Sequence, residues 1–177
     1  NTSGNTWTAV YTANASDTDG AVTYSIAFSD TSGNAGTAVT SGSGSVTTDT
    51  TAPTLSNVSI TSDNSTSTLA KANDDVTLTF TASEAIGTPV VTFRSGGDAI
   101  TDGSVVYSNT SGNTWRAVYT ANASDTDGAV TYSIAFSDTS GNAGTAVTSG
   151  SGSVTTDTTA PTLSNVSITS DNSTSTL

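Results

Sequence analysis

Apolar and polar residues alternate along several stretches of the chain, and this alternation is typical of β-strands that bury one face. In the clearest stretch, Val76, Leu78 and Phe80 are separated by threonines. The alternation predicts core strands over residues 75–82, 115–120 and 130–137. Weaker patterns indicate further strands over residues 55–61, 89–94, 104–107 and 145–156. Because no stretch has the periodicity of a helix, the chain is predicted to be all-β.

Turn-forming clusters rich in Gly, Ser, Asn and Asp separate these strands, as at Ser95–Asp98 and Ser124–Gly128. About seven short strands in roughly 100 residues predict an immunoglobulin-like Greek-key β-sandwich. The side chains expected on its inner faces are Phe80, Trp115, Tyr119, Tyr132, Ile134 and Phe136. Tyr132 follows the Asp127-Gly128 turn and has two interpretations. It is either a tyrosine corner, whose hydroxyl bonds to the turn backbone, or an ordinary core tyrosine.

The sequence also repeats itself. Residues 1–69 recur as residues 109–177 with one difference, Thr8 against Arg116. This spacing of 108 residues suits a complete small domain in each tandem repeat. We therefore expect a complete repeat over residues 51–158, the C-terminal part of a preceding repeat over 1–50, and the first strand of a following repeat over 159–177. A domain used many times favours a spacer, stalk or filament over an enzyme.

The composition narrows the classes of partner. Fifteen acidic residues against three basic ones give a net charge of −12, which argues against nucleic acid because phosphate binding needs Lys and Arg. The chain has no Cys, so it carries no disulfide pattern from which to infer a redox compartment. The acidic, Ser- and Thr-rich surface is typical of a secreted or cell-surface protein, and no membrane contact is expected from this segment.

Three motifs together resemble one family. They are DTTAPTLSNVSIT at Asp49–Thr61, NDDVTLTFTASEAI at Asn73–Ile86 and VTYSIAFSDTSGNAG at Val130–Gly144. They resemble bacterial Ig-like tandem repeat domains of giant secreted or cell-surface adhesins, and the resemblance covers the whole repeat. It implies an extracellular extender or adhesive array, often rigidified by calcium, with no catalytic residues.

The acidic loops predict a cation site. In an immunoglobulin-like sandwich, the lower end of one repeat meets the upper end of the next. At the first junction this arrangement brings Asp17, Asp19 and Asp49 towards Glu84, Asp138 and Asn142, while Asp125, Asp127 and Asp157 lie at the second junction. Clustered oxygen ligands without His or Cys suit Ca²⁺. The alternative is that Asp and Asn form the turns and keep the surface soluble.

Other chemistry has weaker support. The carboxylates lie in loops of a repeated module without an aromatic cleft, so we expect no catalysis. A Lys–Asn isopeptide bond would need Lys71 buried beside a carboxylate, whereas its surroundings in the sequence predict an exposed strand edge. The four sequons of the complete repeat leave glycosylation open: they begin at Asn57, Asn64, Asn109 and Asn122.

Three functions remain as hypotheses. The first is a structural extender or stalk repeat of a large extracellular adhesin or surface filament, with neighbouring repeats of the same chain as its partners. The second is a self-assembling module of a sheath, S-layer or extracellular fibre, with other copies as lateral partners. The third is a carbohydrate-binding module, which would need exposed aromatic residues along one face.

Overall fold

The computed structural model describes residues 3–171 of the chain, and every regular element in that range is a β-strand. Among these residues there is no helix with the length and apolar character needed to span a membrane. The strands are β1 (Gly20–Ala21), β2 (Thr47–Thr48), β3 (Leu55–Ser62), β4 (Leu69–Ala70), β5 (Asp75–Ala82), β6 (Val90–Ser95), β7 (Asp98–Ala99), β8 (Val106–Ser111), β9 (Thr114–Thr120), β10 (Gly128–Ala135) and β11 (Thr155–Thr156).

Most of the strands belong to two larger sheets. One sheet has the strand order β3-β5-β9-β8, and the other has the order β4-β11-β10-β6-β7. Neighbouring strands are antiparallel except β11 and β4, which are parallel. Strands β1 and β2 form a separate pair.

The two larger sheets enclose one hydrophobic core. Buried and less buried residues alternate along β5 and β6, as expected for strands that turn one face inward. Phe93 of β6 and Tyr119 of β9 meet across the core, with ring centroids 4.8 Å apart and ring planes tilted by 45°. The described residues thus form a β-sandwich, and its core is built from strands between residues 55 and 156.

The strand predictions agree with most of this architecture. The strand predicted at 75–82 is β5, and the one predicted at 115–120 begins one residue earlier, at Thr114. The strand predicted at 130–137 is displaced towards the N-terminus and runs from Gly128 to Ala135. The long strand predicted at 145–156 is mostly irregular: Val147 and Ser151 make isolated bridges, and only Thr155–Thr156 is a regular strand. Glycines interrupt this segment, including Gly152 at φ 78°.

The burial predictions are correct for four of the six named side chains. Phe80, Tyr119, Ile134 and Phe136 are buried, whereas Trp115 and Tyr132 are half-buried at the margin of the core. Tyr132 does not form a tyrosine corner, because its hydroxyl has no hydrogen-bond partner among the described residues. Its Oη instead lies close to Gly150.

Residues 159–171 contain no assigned strand. Part of the strand expected there, residues 172–177, lies outside the described residues, as do residues 1 and 2.

Candidate metal centre

Three carboxylates from separate parts of the chain lie together at one end of the sandwich. Asp49 precedes β3, Glu84 lies in the loop after β5, and Asp138 lies in the loop after β10. One carboxylate oxygen from each lies within 4.8 Å of the others. Asp49 and Glu84 are half-buried, and Asp138 is buried. The structure therefore brings together three residues that the sequence analysis placed at the first junction.

The Asp-Thr-Ser-Gly-Asn sequence at 138–142 positions Asp138. Its Oδ1 accepts hydrogen bonds from the backbone amides of Ser140, Gly141 and Asn142, over 2.9, 2.6 and 2.8 Å. This is the local turn that aspartate favours, because its short side chain reaches the next amides. A bridge between Ile86 and Asp138 holds this loop beside the loop that carries Glu84.

The loop at 138–142 also holds the linker that carries Asp49. Ser140 Oγ donates to Asp49 Oδ2 over 2.9 Å. Asn142 Nδ2 donates to the backbone carbonyl of Asp49 over 3.0 Å and to Asp138 Oδ2 over 2.7 Å. In this orientation Asn142 presents its amide nitrogen to the carboxylates. It therefore acts here as a hydrogen-bond donor rather than as an oxygen ligand.

The electrostatics of the cluster favour a cation. Burial raises the pKa of Glu84, and the negative charges of Asp49, Asp138 and Asp19 raise it further. Burial also opposes ionisation of Asp138, but hydrogen bonds from Asn142, Gly141 and Ser140 outweigh it and lower the pKa of that group. The cluster therefore combines a strongly hydrogen-bonded carboxylate with one that is repelled by its neighbours. A hard cation would relieve that repulsion.

The second aspartate of each D-x-D-G turn binds the linker that follows. Asp19 accepts from the Thr50 amide over 2.6 Å and from its hydroxyl over 2.8 Å, and it also binds Thr51. Asp127 makes the equivalent bonds to Thr158, over 2.7 Å and 2.9 Å, and also binds Thr159. These hydrogen bonds lower the pKa of both aspartates. The same clamp between a D-x-D-G turn and the Thr-rich segment after it therefore occurs twice in the described residues.

The glycine of this turn is needed for close packing. Gly128 has φ 142°, which other residues rarely adopt. A Cβ at this position would also lie 2.8 Å from Gly96 Cα. The chain can therefore pass directly from Asp127 into β10.

The carboxylate of the first aspartate in each D-x-D-G turn accepts its hydrogen bonds from residues outside the linker. Asp125 is buried and accepts from the amides of Thr101 and Asn122, both over 2.8 Å. Asp17 accepts from the Tyr11 hydroxyl and from the Asn14 amide, the latter over 2.6 Å. Neither belongs to the three-carboxylate cluster. Asp157 accepts from the Thr159 amide over 3.1 Å, as Asp49 does from Thr51 over 3.2 Å.

A second polar cluster, centred on Asp74, was missed by the sequence analysis. Asp74 is buried and accepts from Asn64 Nδ2 over 2.6 Å, from the Lys71 amide over 2.9 Å and from Lys71 Nζ over 2.8 Å. Burial disfavours its charge, but these donors outweigh burial and hold its pKa at about 2. A tight turn brings the two side chains together, because the Asp74 amide donates to the Lys71 carbonyl over 3.0 Å. The sequence signal that could have predicted this turn is the turn-forming pair Asn73-Asp74.

The Asp74 cluster is unsuited to isopeptide formation. Attack by a lysine amine on an asparagine amide needs a neutral amine. The Lys71 side chain is 68% exposed, and the neighbouring Asp74 carboxylate raises its pKa. The amine therefore stays charged, and the cluster ties down the segment between β3 and β5.

Comparison of the chain with family models, with curated proteins and with solved structures gives no significant match. The resemblance to bacterial Ig-like repeats therefore stays a prediction from the sequence motifs.

Proposed function

We propose that the 108-residue unit is an immunoglobulin-like extender module of a large extracellular adhesin or surface filament. The observation that carries this proposal is the recurrence of residues 1–69 at 109–177 with one difference. A stalk gains reach from each identical copy, whereas a second identical active site adds no new chemistry. The D-x-D-G clamp occurs at both junctions and ties each unit to the linker after it.

The strand order supports the Greek-key assignment. Strands β3, β5, β9 and β8 correspond to A, B, E and D of an immunoglobulin-like sandwich, and β6, β10 and β11 correspond to C, F and G. The parallel pairing of β4 with β11 adds a short strand beside G. Such a unit has its own core and suits an array of independently folding domains.

The positions of the two linkers support an end-to-end array. The chain enters beside the loop at 138–142, where Asn142 holds the Asp49 carbonyl. It leaves at the other end of β10, where Asp127 holds Thr158. Strands of eight residues separate these ends by roughly 26 Å. Each added unit would therefore lengthen the array.

Calcium is the cation that we propose for the junction. The cluster of Asp49, Glu84 and Asp138 offers only oxygen ligands, which Ca²⁺ prefers, and Ca²⁺ tolerates the irregular shell that loops provide. Asp49 precedes β3, while Glu84 and Asp138 lie in loops of the complete sandwich. An ion bound to all three would fix the linker against that sandwich.

Sedimentation velocity on chains with one, two and three complete 108-residue units tests the extender proposal. We expect each chain to remain monomeric and its frictional ratio to rise with every added unit. Reversible association that increases with unit number would contradict the proposal and favour lateral assembly into a sheath or fibre. A frictional ratio that stays near that of a compact sphere would contradict both.

A further inference from the structure

The two lateral sides of the sandwich are closed in different ways. On one side, the segment around Ser151 bonds to β3 through the backbone. The Ser151 amide donates to the Val58 carbonyl over 2.8 Å, and the Ile60 amide donates to the Ser151 carbonyl over 3.0 Å. On the opposite side, β6 of one sheet lies beside β8 of the other. Among the described residues, the hydrogen bonds that join these two strands come from the side chain of Tyr107.

Part of β6 forms an edge of its sheet. β6 pairs with β10 along its whole length, from Val90 to Ser95, but on its other side β7 reaches only Arg94 and Ser95. In the part of the chain that the structure describes, no strand pairs with residues 90–93 on that side. A bare strand edge is a template for pairing with another chain. Residues 90–93 are therefore the place on β6 where a further strand could add.

The backbone groups of Val91 point towards this edge. Val91 lies opposite Ile134 of β10. The amide and the carbonyl of Ile134 bond to Val147, over 2.9 and 3.1 Å, on the side of β10 that faces away from β6. Opposed residues of an antiparallel pair exchange both of their hydrogen bonds or neither. Val91 therefore presents its amide and its carbonyl away from β10, at the edge of the sheet.

The Tyr107 hydroxyl bonds to both of these groups. Its oxygen accepts from the Val91 amide over 2.8 Å, and its hydrogen is donated to the Val91 carbonyl over 3.4 Å. The Tyr107 ring packs against the core, which holds the hydroxyl in place. Pro89, directly before β6, has no amide hydrogen to donate. This edge therefore offers a further strand no free amide at position 89 or 91.

We propose that Tyr107 is a latch that masks the β6 edge and prevents a second copy of this chain from adding its own β6 there. Residues 90–93 carry no charged side chain that would repel an identical strand. The Val90 side chain is 63% exposed, so pairing of two copies would also bury apolar surface. What opposes pairing is that the backbone of a second copy must first break both Tyr107 hydrogen bonds.

Sedimentation velocity over a concentration series, on the full chain and on Tyr107→Phe, tests this inference. The substitution keeps the packed ring and removes both hydrogen bonds. Because a second copy no longer has to break them, the association constant should rise by about tenfold or more. Tyr132→Phe is the matched control. It also removes a phenol hydroxyl, but one without a hydrogen-bond partner among the described residues, so it should leave the association constant unchanged.

Thr92→Lys locates the association on β6. The Thr92 side chain is exposed, and a lysine on a strand edge opposes pairing. Combined with Tyr107→Phe, it should return the association constant to that of the unsubstituted chain. Thermal melting checks that the sandwich stays folded in each variant. An association constant for Tyr107→Phe no higher than that of the unsubstituted chain would overturn the inference, and so would an association that Thr92→Lys leaves unchanged.

Amide hydrogen exchange gives a second readout that needs no association. The Val91 amide should be protected in the unsubstituted chain although it lies at a strand edge, and it should exchange about tenfold faster in Tyr107→Phe. Free exchange of this amide in the unsubstituted chain, or equal exchange in both proteins, would overturn the latch. The inference does not depend on the extender function, because both readouts compare the chain with and without one hydroxyl.

Discussion

Gly144 lies directly against the ring of Phe136. Its amide donates to the Phe136 carbonyl over 3.0 Å, and a Cβ at Gly144 would come within 2.2 Å of Phe136 Cε2. The same side of Gly144 also faces the Pro53 carbonyl, at 2.8 Å from the same Cβ position. The close approach places the loop at 138–142 beside the linker that carries Asp49. The packing beside the candidate metal centre therefore requires a glycine at position 144.

Gly144→Ala should destabilise the sandwich by about 1–3 kcal/mol, because the buried Phe136 ring must move to admit the methyl group. Gly36→Ala is a matched control. Gly36 makes the same approach to Phe28, but that ring is 54% exposed and can move into solvent. Chemical denaturation of both variants checks the prediction. Equal effects of the two substitutions would show that ring crowding is not the cause.

Tyr132→Phe should raise stability by about 1 kcal/mol, because it removes a buried hydroxyl that has no hydrogen-bond partner among the described residues. A tyrosine corner would give the opposite sign, since the substitution would then break a hydrogen bond. The free energy of unfolding of the two proteins, measured in urea, distinguishes these outcomes. A loss of stability would restore the corner interpretation.

The strands could be predicted best where apolar and polar residues alternate along the sequence. Phe80 and Ile134 lie in alternating stretches whose inward face is set by the pleat, so their burial could be predicted. The segment at 145–156 was harder, because its glycines allow turns whose geometry depends on β3 and β10. The partial exposure of Trp115 depends on its place near the start of β9, which periodicity does not record.

The candidate site was predictable at the level of loops but not of individual roles. Turn composition placed Asp49, Glu84 and Asp138 at one end once the sandwich was assumed. The sequence could not separate the roles of Asp125 and Asp127, which are two residues apart in one turn. Their partners, Thr101 and Thr158, lie in different segments that only the folded chain brings to this turn. The role of Asn142 depends on the orientation of its amide, which spacing does not determine.

The Asp74 cluster predicts a loss of stability in acid. The folded-state pKa of Asp74, about 2, lies below the ordinary value of 3.8. The stabilisation is therefore fully present above about pH 4 and is lost as the pH falls towards 2. Asp74→Asn should cost about 1–3 kcal/mol at pH 7 and less at pH 2. Melting curves across this range check the prediction, with the exposed Asp102→Asn as control. A cost that does not change with pH would contradict it.

The effect of Glu84→Gln on the melting temperature should change sign when calcium is added. The pKa of Glu84 is raised by burial and by its negative neighbours, so its ionised form opposes folding at neutral pH and stability rises as the group is protonated. Without divalent cations, Glu84→Gln should therefore raise the melting temperature. With Ca²⁺ it should lower the melting temperature relative to the unsubstituted chain, because a ligand is lost.

Asp171→Asn is the matched control for Glu84→Gln, since it removes one negative charge from an exposed residue that is not a member of the cluster. It should shift the melting temperature equally with and without Ca²⁺. If Glu84→Gln shifts the melting temperature in the same direction with and without Ca²⁺, the cluster is a solvated acidic surface. If the shift in melting temperature changes sign with Ca²⁺ in both variants, its cause is the overall charge rather than the cluster.

Small-angle X-ray scattering from a chain of three complete units, recorded in Ca²⁺ and again in EDTA, tests the central claim of a cation-stiffened array most directly. In Ca²⁺ the maximum dimension should exceed that of a single unit by roughly 35–45 Å for each added unit. In EDTA, repulsion among Asp49, Glu84 and Asp138 should let the junctions bend, and the maximum dimension should fall. Identical scattering profiles in the two conditions would contradict the claim.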